Sequence, residues 1–219
     1  MPRCGVTDGA VMRRANAQLQ SDRQAEILEA AERCFARSGF HQASMQDICA
    51  EAGMSPGNLY RYFRSKEALI AGISERNRAQ AAAALGDIGK APDFFAALAE
   101  HARHHLIERS ADEVGLCAEI MSESRRNPEV ARLCEKIERD IKNRLAAMLR
   151  SAIERGEVRA DLDVESAALV LMVLVDGMSW RRAVEKGFDV DRVLPMILQM
   201  VRSLLSPPGA MKTNSEVLR

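Results

Sequence analysis

The chain has 219 residues, 47% of them hydrophobic and 4% aromatic, and its 31 basic and 31 acidic side chains sum to a formal net charge of zero. That length is ample for one small domain and one larger one. No apolar run approaches the ~20 residues needed to span a bilayer, and no signal-peptide core opens the chain, so a cytoplasmic protein without a membrane partner is expected.

Low aromatic content with abundant Ala, Leu, Met, Glu and Arg suits an all-α protein. Residues 1–20, with Arg3, Arg13 and Arg14 among Gly, Ala, Asn and Gln, read as a disordered N-terminal arm. It is either an inert tail or a basic arm that tracks DNA. A first helix is predicted from about Asp22 to Ser38, because Ser21 and Gln24 have capping-box spacing and Ile27, Ala31, Cys34 and Phe35 recur at helical spacing. Gly39 supplies its stop. A second helix starts at Ser44, with Asp47 at the reciprocal capping position, and runs to about Ala52 with Ile48 inward. Gly53 then makes a sharp turn. Ser55 caps a third helix, and Pro56 sits at its first position, where a missing N–H is harmless. Leu59 and Phe63 point inward, leaving Tyr60, Arg61 and Tyr62 outside. Two short helices joined by a glycine turn make a helix-turn-helix unit whose second helix enters a major groove. An ordinary three-helix packing unit is the alternative, but exposed tyrosines around an arginine are a poor solvated face.

A net charge of zero is informative only when mapped. Residues 21–54 hold three basic and six acidic side chains, whereas residues 55–78 hold five basic (Arg61, Arg64, Lys66, Arg76, Arg78) and two acidic (Glu67, Glu75). Positive charge therefore gathers on the third helix and the start of the fourth, where phosphates would lie.

The stretch from 21 to about 75 resembles the DNA-binding domain of the TetR family of one-component transcriptional repressors. The resemblance is carried by Ser44-Met45-Gln46-Asp47-Ile48-Cys49, Gly53-Met54-Ser55, Leu59-Tyr60-Arg61-Tyr62-Phe63 and Lys66-Glu67-Ala68-Leu69. Matched position by position, it implies DNA contacts from Ser44, Ser55, Gly57, Tyr60, Arg61, Tyr62 and Lys66. Their chemistry agrees. Ser44 and Ser55 lie at helix N-termini, where hydroxyls and free N–H groups bind phosphate. Gly57 lets the backbone approach closely, and the two tyrosine hydroxyls can reach phosphate oxygens. Lys66 is a point charge for phosphate, and Arg61 has the fork that reads guanine O6 and N7. Pro56 departs from relatives that carry a polar or basic residue there. Further on, Glu119-Ile120-Met121-Ser122-Glu123-Ser124-Arg125-Arg126-Asn127-Pro128 resembles one widespread branch of the family's regulatory domains.

Beyond the reader, the chain is divided as a helix-turn-helix domain over 21–66, a six-helix ligand-binding and dimerisation domain over 67–205 and a flexible tail over 206–219 opened by Pro207-Pro208-Gly209. The fourth helix is predicted from Lys66 to about Leu85, the fifth from near Pro92, the sixth over Asp112–Arg125 and the seventh from Pro128 to about Arg155. The eighth begins after Asp163 and the ninth runs from Asp191 to Leu205. From Ala167 to Val175 the eighth is apolar on nearly every side, so it must be covered on every side. One face packs on its own domain and another needs a partner. A homodimer is expected through Leu171, Leu174 and Val175 of the eighth helix and Val193, Ile197, Met200, Val201 and Leu204 of the ninth, joined as a four-helix bundle. The alternative is a monomer in which the eighth helix is simply central.

The resemblance also implies a pocket for a small, apolar effector, for which Phe94, Leu98, His101, His105, Met121, Met172, Met178 and the single tryptophan, Trp180, are candidates. Most apolar residues at helical spacing are core, and these compete with that reading. His101, His105 and Glu108 fall within about 60° on one helix face, which raises a metal- or thiol-based sensor as the second functional reading. Nothing further in the sequence completes a metal site, and no cofactor is expected. The five cysteines lack any CxxC spacing. No Ser-His-Asp arrangement, phosphate-binding glycine loop or HExxH motif supports an enzyme. The expected activity is repression at a palindromic, double-stranded operator, relieved by the effector.

Overall fold

The computed structural model describes residues 8–208. Among them are nine α-helices and no strand: α1 Asp8–Gln42, α2 Met45–Glu51, α3 Pro56–Tyr62, α4 Lys66–Ile88, α5 Phe94–Arg103, α6 Ala111–Glu123, α7 Pro128–Glu154, α8 Val164–Val184 and α9 Val190–Leu205. A π-helical turn, His104–Glu108, extends α5. The chain divides into two compact units, Met1–Ile73 and Ser74–Arg219, at a point inside α4.

Local chemistry accounts for most helix ends. Ser44 and Ser110 build capping boxes with Asp47 and Glu113, each hydroxyl accepting an N–H while the acidic side chain returns to the cap's own N–H. Asp93, Asn127, Asp163 and Asp189 cap α5, α7, α8 and α9. α2 ends in a Schellman motif: Met54 N–H reaches Cys49 O at 3.0 Å and Gly53 N–H reaches Ala50 O at 3.2 Å, with Gly53 at φ 62°. Gly156 closes α7 the same way, Glu157 N–H lying 3.0 Å from Ala152 O.

α1 corrects the reading of the N-terminal arm. Residues 8–20, expected to be disordered, are helical and continuous with the predicted first helix; residues 1–7 lie outside the described residues. The physical reason is propensity: the run Ala10–Gln20 contains Ala, Met, Arg, Gln and Leu and no Gly or Pro. The expected stop at Gly39 is present as a break inside α1, where φ is 77° and ψ is 158°. At the other end α9 closes at Leu205; of the expected tail, residues 209–219 lie outside the described residues.

The first unit buries Ile27, Ala31, Cys34, Phe35, Phe40, Ile48 and Leu59, with the rings of Phe35 and Phe40 5.6 Å apart. Leu69, Ile70 and Ile73 of α4 are also buried, and a Cβ on Gly72 would stand 2.8 Å from Leu28 Cδ2 and 3.0 Å from Phe63 Cε1. The first two turns of α4 thus pack close on α1 and the end of α3, which is why the division falls after Ile73 rather than at Lys66.

The second unit has two apolar clusters. The larger joins Leu85, Ile88, Phe94, Leu145, Met148, Leu149, Ala152, Ala168, Leu171, Val201 and Leu205; the smaller joins Leu106, Met178, Val190 and Leu194. α8 packs on both α6 and α7. Polar ties close the assembly: Arg78 of α4 pairs with Asp140 of α7 at 2.5 Å, and Glu157 accepts the N–H of Phe94 at 2.8 Å, satisfying the start of α5.

Candidate functional site

The reader is built around α3. Leu59 is fully buried, so one side chain anchors the helix in the unit's core, while Tyr60 is 48% exposed and Arg61 is exposed. Tyr62 is half-buried. Pro56 at the first helical position leaves no orphan N–H there. Arg33 and Arg37 of α1 clasp Glu51 at the end of α2, at 2.7 and 3.2 Å, and those two guanidinium groups hold the Glu51 carboxyl below its ordinary range. The clasp holds α2 on α1, and the glycine turn sets α3 against α2.

The expected DNA-contacting residues share one unit but differ in what they have free. Ser55 makes no cap hydrogen bond with its side chain, so its hydroxyl is available. The Ser44 hydroxyl instead donates to Asp47 at 2.6 Å and accepts the Asp47 N–H at 3.1 Å; for Ser44 the backbone of α2's first turn is the better phosphate donor. A Cβ on Gly57 would meet nothing within 4 Å, so in this chain alone that glycine is not forced by packing. Arg61 makes no ion pair among the described residues.

Lys66 lies elsewhere than a solvent-facing phosphate clamp would. Its ammonium donates to Phe40 O at 2.6 Å and His41 O at 3.1 Å and stands 4.7 Å from the centre of the Phe40 ring. It closes the end of α1 with two of its three donors. Arg78, expected among the phosphate-facing cations, is held between Glu75 and Asp140. The basic cluster read from the sequence is therefore thinner than its count, because Lys66 and Arg78 are engaged inside the protein. Sequence reasoning cannot see this: Phe40 and Asp140 are 26 and 62 residues away from their cations.

Arg61 and Tyr62 also line a cleft of about 540 Å³ with Leu19, Gln20, Asp22, Arg23 and Glu26 of α1. α1 thus forms one wall beside α3, with Leu19 and Gln20 from the expected arm and Asp22, Arg23 and Glu26 from the predicted first helix, where Arg23 pairs with Glu26 at 2.5 Å.

The eight candidate effector residues are not brought together. Phe94 is buried in the larger cluster, with Leu98 and Met172 packed against it, whereas Met178 belongs to the smaller cluster. Met121 and Trp180 are 49% and 56% exposed, on the surface rather than in a wall. His101 and His105 stack, ring centres 6.0 Å apart. Burial, with Arg109, His101 and His104 beside it, pushes His105 down to about 4, and burial followed by His104 pushes His101 down as well. Both rings are therefore neutral at pH 7. Glu108 turns away from them to His104 Nδ1 at 2.5 Å, and among the described residues no group of three or more His, Cys, Asp or Glu could hold a metal ion.

The outward apolar face differs from the one expected. Leu171 and Val201 are 7% and 5% exposed and sit in the unit's own core, while Leu174, Val175, Val193 and Ile197 are half-buried against it. What faces outward is Leu169, Val170, Val173, Trp180 and Val184 on α8 and Met196, Met200 and Leu204 on α9. Of the eight interface residues expected from the sequence, Met200 and Leu204 are among the exposed ones. A helix apolar all round has no period to say which stripe turns inward. Leu169, Val170, Val173, Trp180 and Val184, which the sequence did not single out as an outward stripe, share one helical face; that spacing competed with equally apolar neighbours.

Residues 27–73 match the family described as "Bacterial regulatory proteins, tetR family", and residues 97–206 match "BetI-type transcriptional repressor, C-terminal". The HTH-type transcriptional regulator UidR of Escherichia coli K12 is 34% identical over 152 residues, covering 69% of this chain and 77% of the relative. The HTH-type transcriptional repressor AcnR of Corynebacterium diphtheriae is 28% identical over 192 residues, covering 86% and 96%. The solved structure of Salmonella enterica GusR superposes with a TM-score of 0.70 at 32% identity, covering 83% of this chain and 96% of that one. A seven-residue helix carrying an exposed Tyr60 and Arg61 behind a glycine turn, a helical second unit and these matches agree: the chain belongs to the TetR family of bacterial transcriptional regulators, with a regulatory domain of the BetI repressor type.

Proposed function

We propose that the protein is a homodimeric repressor that binds a palindromic operator and is released by a small, predominantly apolar effector. The observation that carries it is α3, a helix of seven residues that buries Leu59 and turns Tyr60 and Arg61 outward. In this reading Arg61 reads a guanine edge, Tyr60, Tyr62 and Ser55 contact the backbone, and Gly57 lets a phosphate approach. Ser44 contributes through the first turn of α2. Lys66 stiffens the support of α3 and offers its third N–H to a phosphate. A bidentate arginine–guanine pair contributes roughly 1–3 kcal/mol of discrimination.

Two copies meeting through the outward stripe of α8 and α9 would form a four-helix bundle, presenting two α3 helices to half-sites ~34 Å apart. The exposed apolar side chains of α8 and α9 support this, since a monomer leaves them in water. The effector region is assigned to the second unit around Leu98, Met172 and the neutral His101–His105 pair. α4 runs through the division between the units, so an effector that favours one position of α4 biases the spacing of the two readers. Couplings of ~1–3 kcal/mol change affinity about 5- to 150-fold.

The test is binding of the full chain to DNA from upstream of its own coding sequence, by anisotropy, across a salt series and with a panel of apolar compounds. Tight, salt-sensitive binding abolished by one compound is expected. Binding to no upstream fragment, at any salt, would overturn the reading.

A further inference from the structure

Arg144 of α7 is half-buried, and its Nε lies buried without a hydrogen-bond partner. Buried guanidinium groups are ordinarily paired, because desolvating a charged N–H without an acceptor is costly. The acceptor that helical spacing offers Arg144 is Asp140, four residues earlier, but that carboxylate pairs with Arg78 of α4 at 2.5 Å. Glu165, which α8 brings to α7, is shared by Lys142 and Arg150 at 3.1 and 2.8 Å. Asp140 and Met148, one turn to either side of Arg144, both meet α4: Asp140 through Arg78, and Met148 at Gly89, where a Cβ would stand 3.6 Å from Met148 Cα. Between those contacts α4 is alanine-rich, and its polar side chains there, Gln80 and Asp87, are exposed. On its inner side Arg144 adjoins Ile141 and Met148, which join the apolar cluster that Leu98 and Met172 pack against. A cation without a counter-ion thus stands at the edge of that cluster, beside the proposed effector region.

We propose that the effector is a monoanion with an apolar body, whose carboxylate is clasped by the Arg144 guanidinium. The inference rests on the effector reading above and narrows it to one chemical class. The planar fork of arginine donates two parallel hydrogen bonds to a carboxylate; taken side-on, through Nε and one Nη, that pair supplies the acceptor which Nε lacks. One uncompensated cation favours a single negative charge, since a phosphate dianion would carry excess charge into an apolar cluster next to Asp140. His101 and His105, neutral at pH 7, add no second cation. The Arg78–Asp140 tie of α4 to α7 is one turn from Arg144, so a carboxylate seated on Arg144 acts beside the contact that holds α4.

The experiment follows thermal melting of the full-length protein near neutral pH and at fixed ionic strength. It is titrated with matched acid–amide pairs: benzoate and benzamide, octanoate and octanamide, naphthoate and naphthamide. At least one acid is expected to raise the melting temperature at concentrations roughly tenfold or more below those its amide needs. Arg144→Gln should weaken that acid by roughly tenfold or more and leave the amide unchanged, while Arg144→Lys, which keeps the charge without the fork, should fall between. With no acid present, Arg144→Met should melt at or above the wild type, because it removes an unpaired charge and keeps the apolar stem. Melting below the wild type would show an arginine that serves the fold and would overturn the proposal. Acids and amides acting alike, equal binding of the acid by Arg144→Gln, or binding of no acid at all overturn it too. DNA separates the readings: the acid that binds should release upstream DNA from the wild type and not from Arg144→Gln. Release by an amide and by no acid would keep the effector reading and overturn the anion. Absence of DNA binding by the unliganded protein counts against the repressor reading, and the melting series still decides the anion site.

Discussion

Replacing Val173 by aspartate isolates the outward stripe of α8 from the protein's own core. Val173 is 60% exposed in the isolated chain. Full burial of a valine side chain contributes ~1.5–3 kcal/mol, so covering the exposed part at a dimer interface contributes ~1–2 kcal/mol per copy. A two-fold interface uses it twice, giving ~2–4 kcal/mol, or a roughly 30- to 1,000-fold rise in the dimer dissociation constant. The carboxylate adds a desolvation penalty in the same direction. Sedimentation velocity across a concentration series reads the constant, and thermal melting of the monomer checks that the fold survives. Val201→Ala is the contrasting change: Val201 belongs to the core, so it should lose about 2 kcal/mol of stability with little effect on association beyond that. If Val173→Asp leaves the dimer intact while Val201→Ala dissociates it, the assignment of faces is refuted.

Arg61→Ala should reduce discrimination between operator and mutated operator by ~1–3 kcal/mol, read by competition binding; unchanged discrimination would remove Arg61 from base readout. Lys66→Met should lower the stability of the first unit by about 2 kcal/mol through the lost carbonyl bonds and cation–π contact, visible in urea unfolding, whereas a purely phosphate-binding lysine would leave unfolding unchanged. Gly53→Ala, at φ 62°, should cost about 1 kcal/mol and is checked by the same unfolding curve. His105 gives a pH signature. Folded, it takes a proton only at about 4, against 6.5 for an ordinary imidazole, so between those values the unfolded chain binds more protons. Stability is full above 6.5 and falls as pH drops towards 4, by at most ~3 kcal/mol. Wild type minus His105→Asn, measured from pH 4.5 to 7, should show that slope; parallel curves would mean the ring takes up its proton in the fold as it does in the unfolded chain.

The features legible in the chain are signals that act within one turn. Ser44 with Asp47, Gly53 after Ala52, Pro56 after Ser55, Asn127 before Pro128 and Asp163 before α8 each marked a boundary, because a cap or a positive φ is satisfied by groups three to five residues away. Together with Tyr60 and Arg61 they made the reader legible before any coordinates. Only the tertiary structure decided which stripe of α8 turns outward, since an all-apolar helix carries no inward period. The same holds for Lys66 and Arg78, whose long side chains find Phe40, His41 and Asp140 far along the chain, and for the scatter of Phe94, Met178 and Trp180 between two clusters and the surface. Local hydrogen bonding is written in neighbouring residues, whereas burial is a competition among all faces of the molecule and is settled only when they pack.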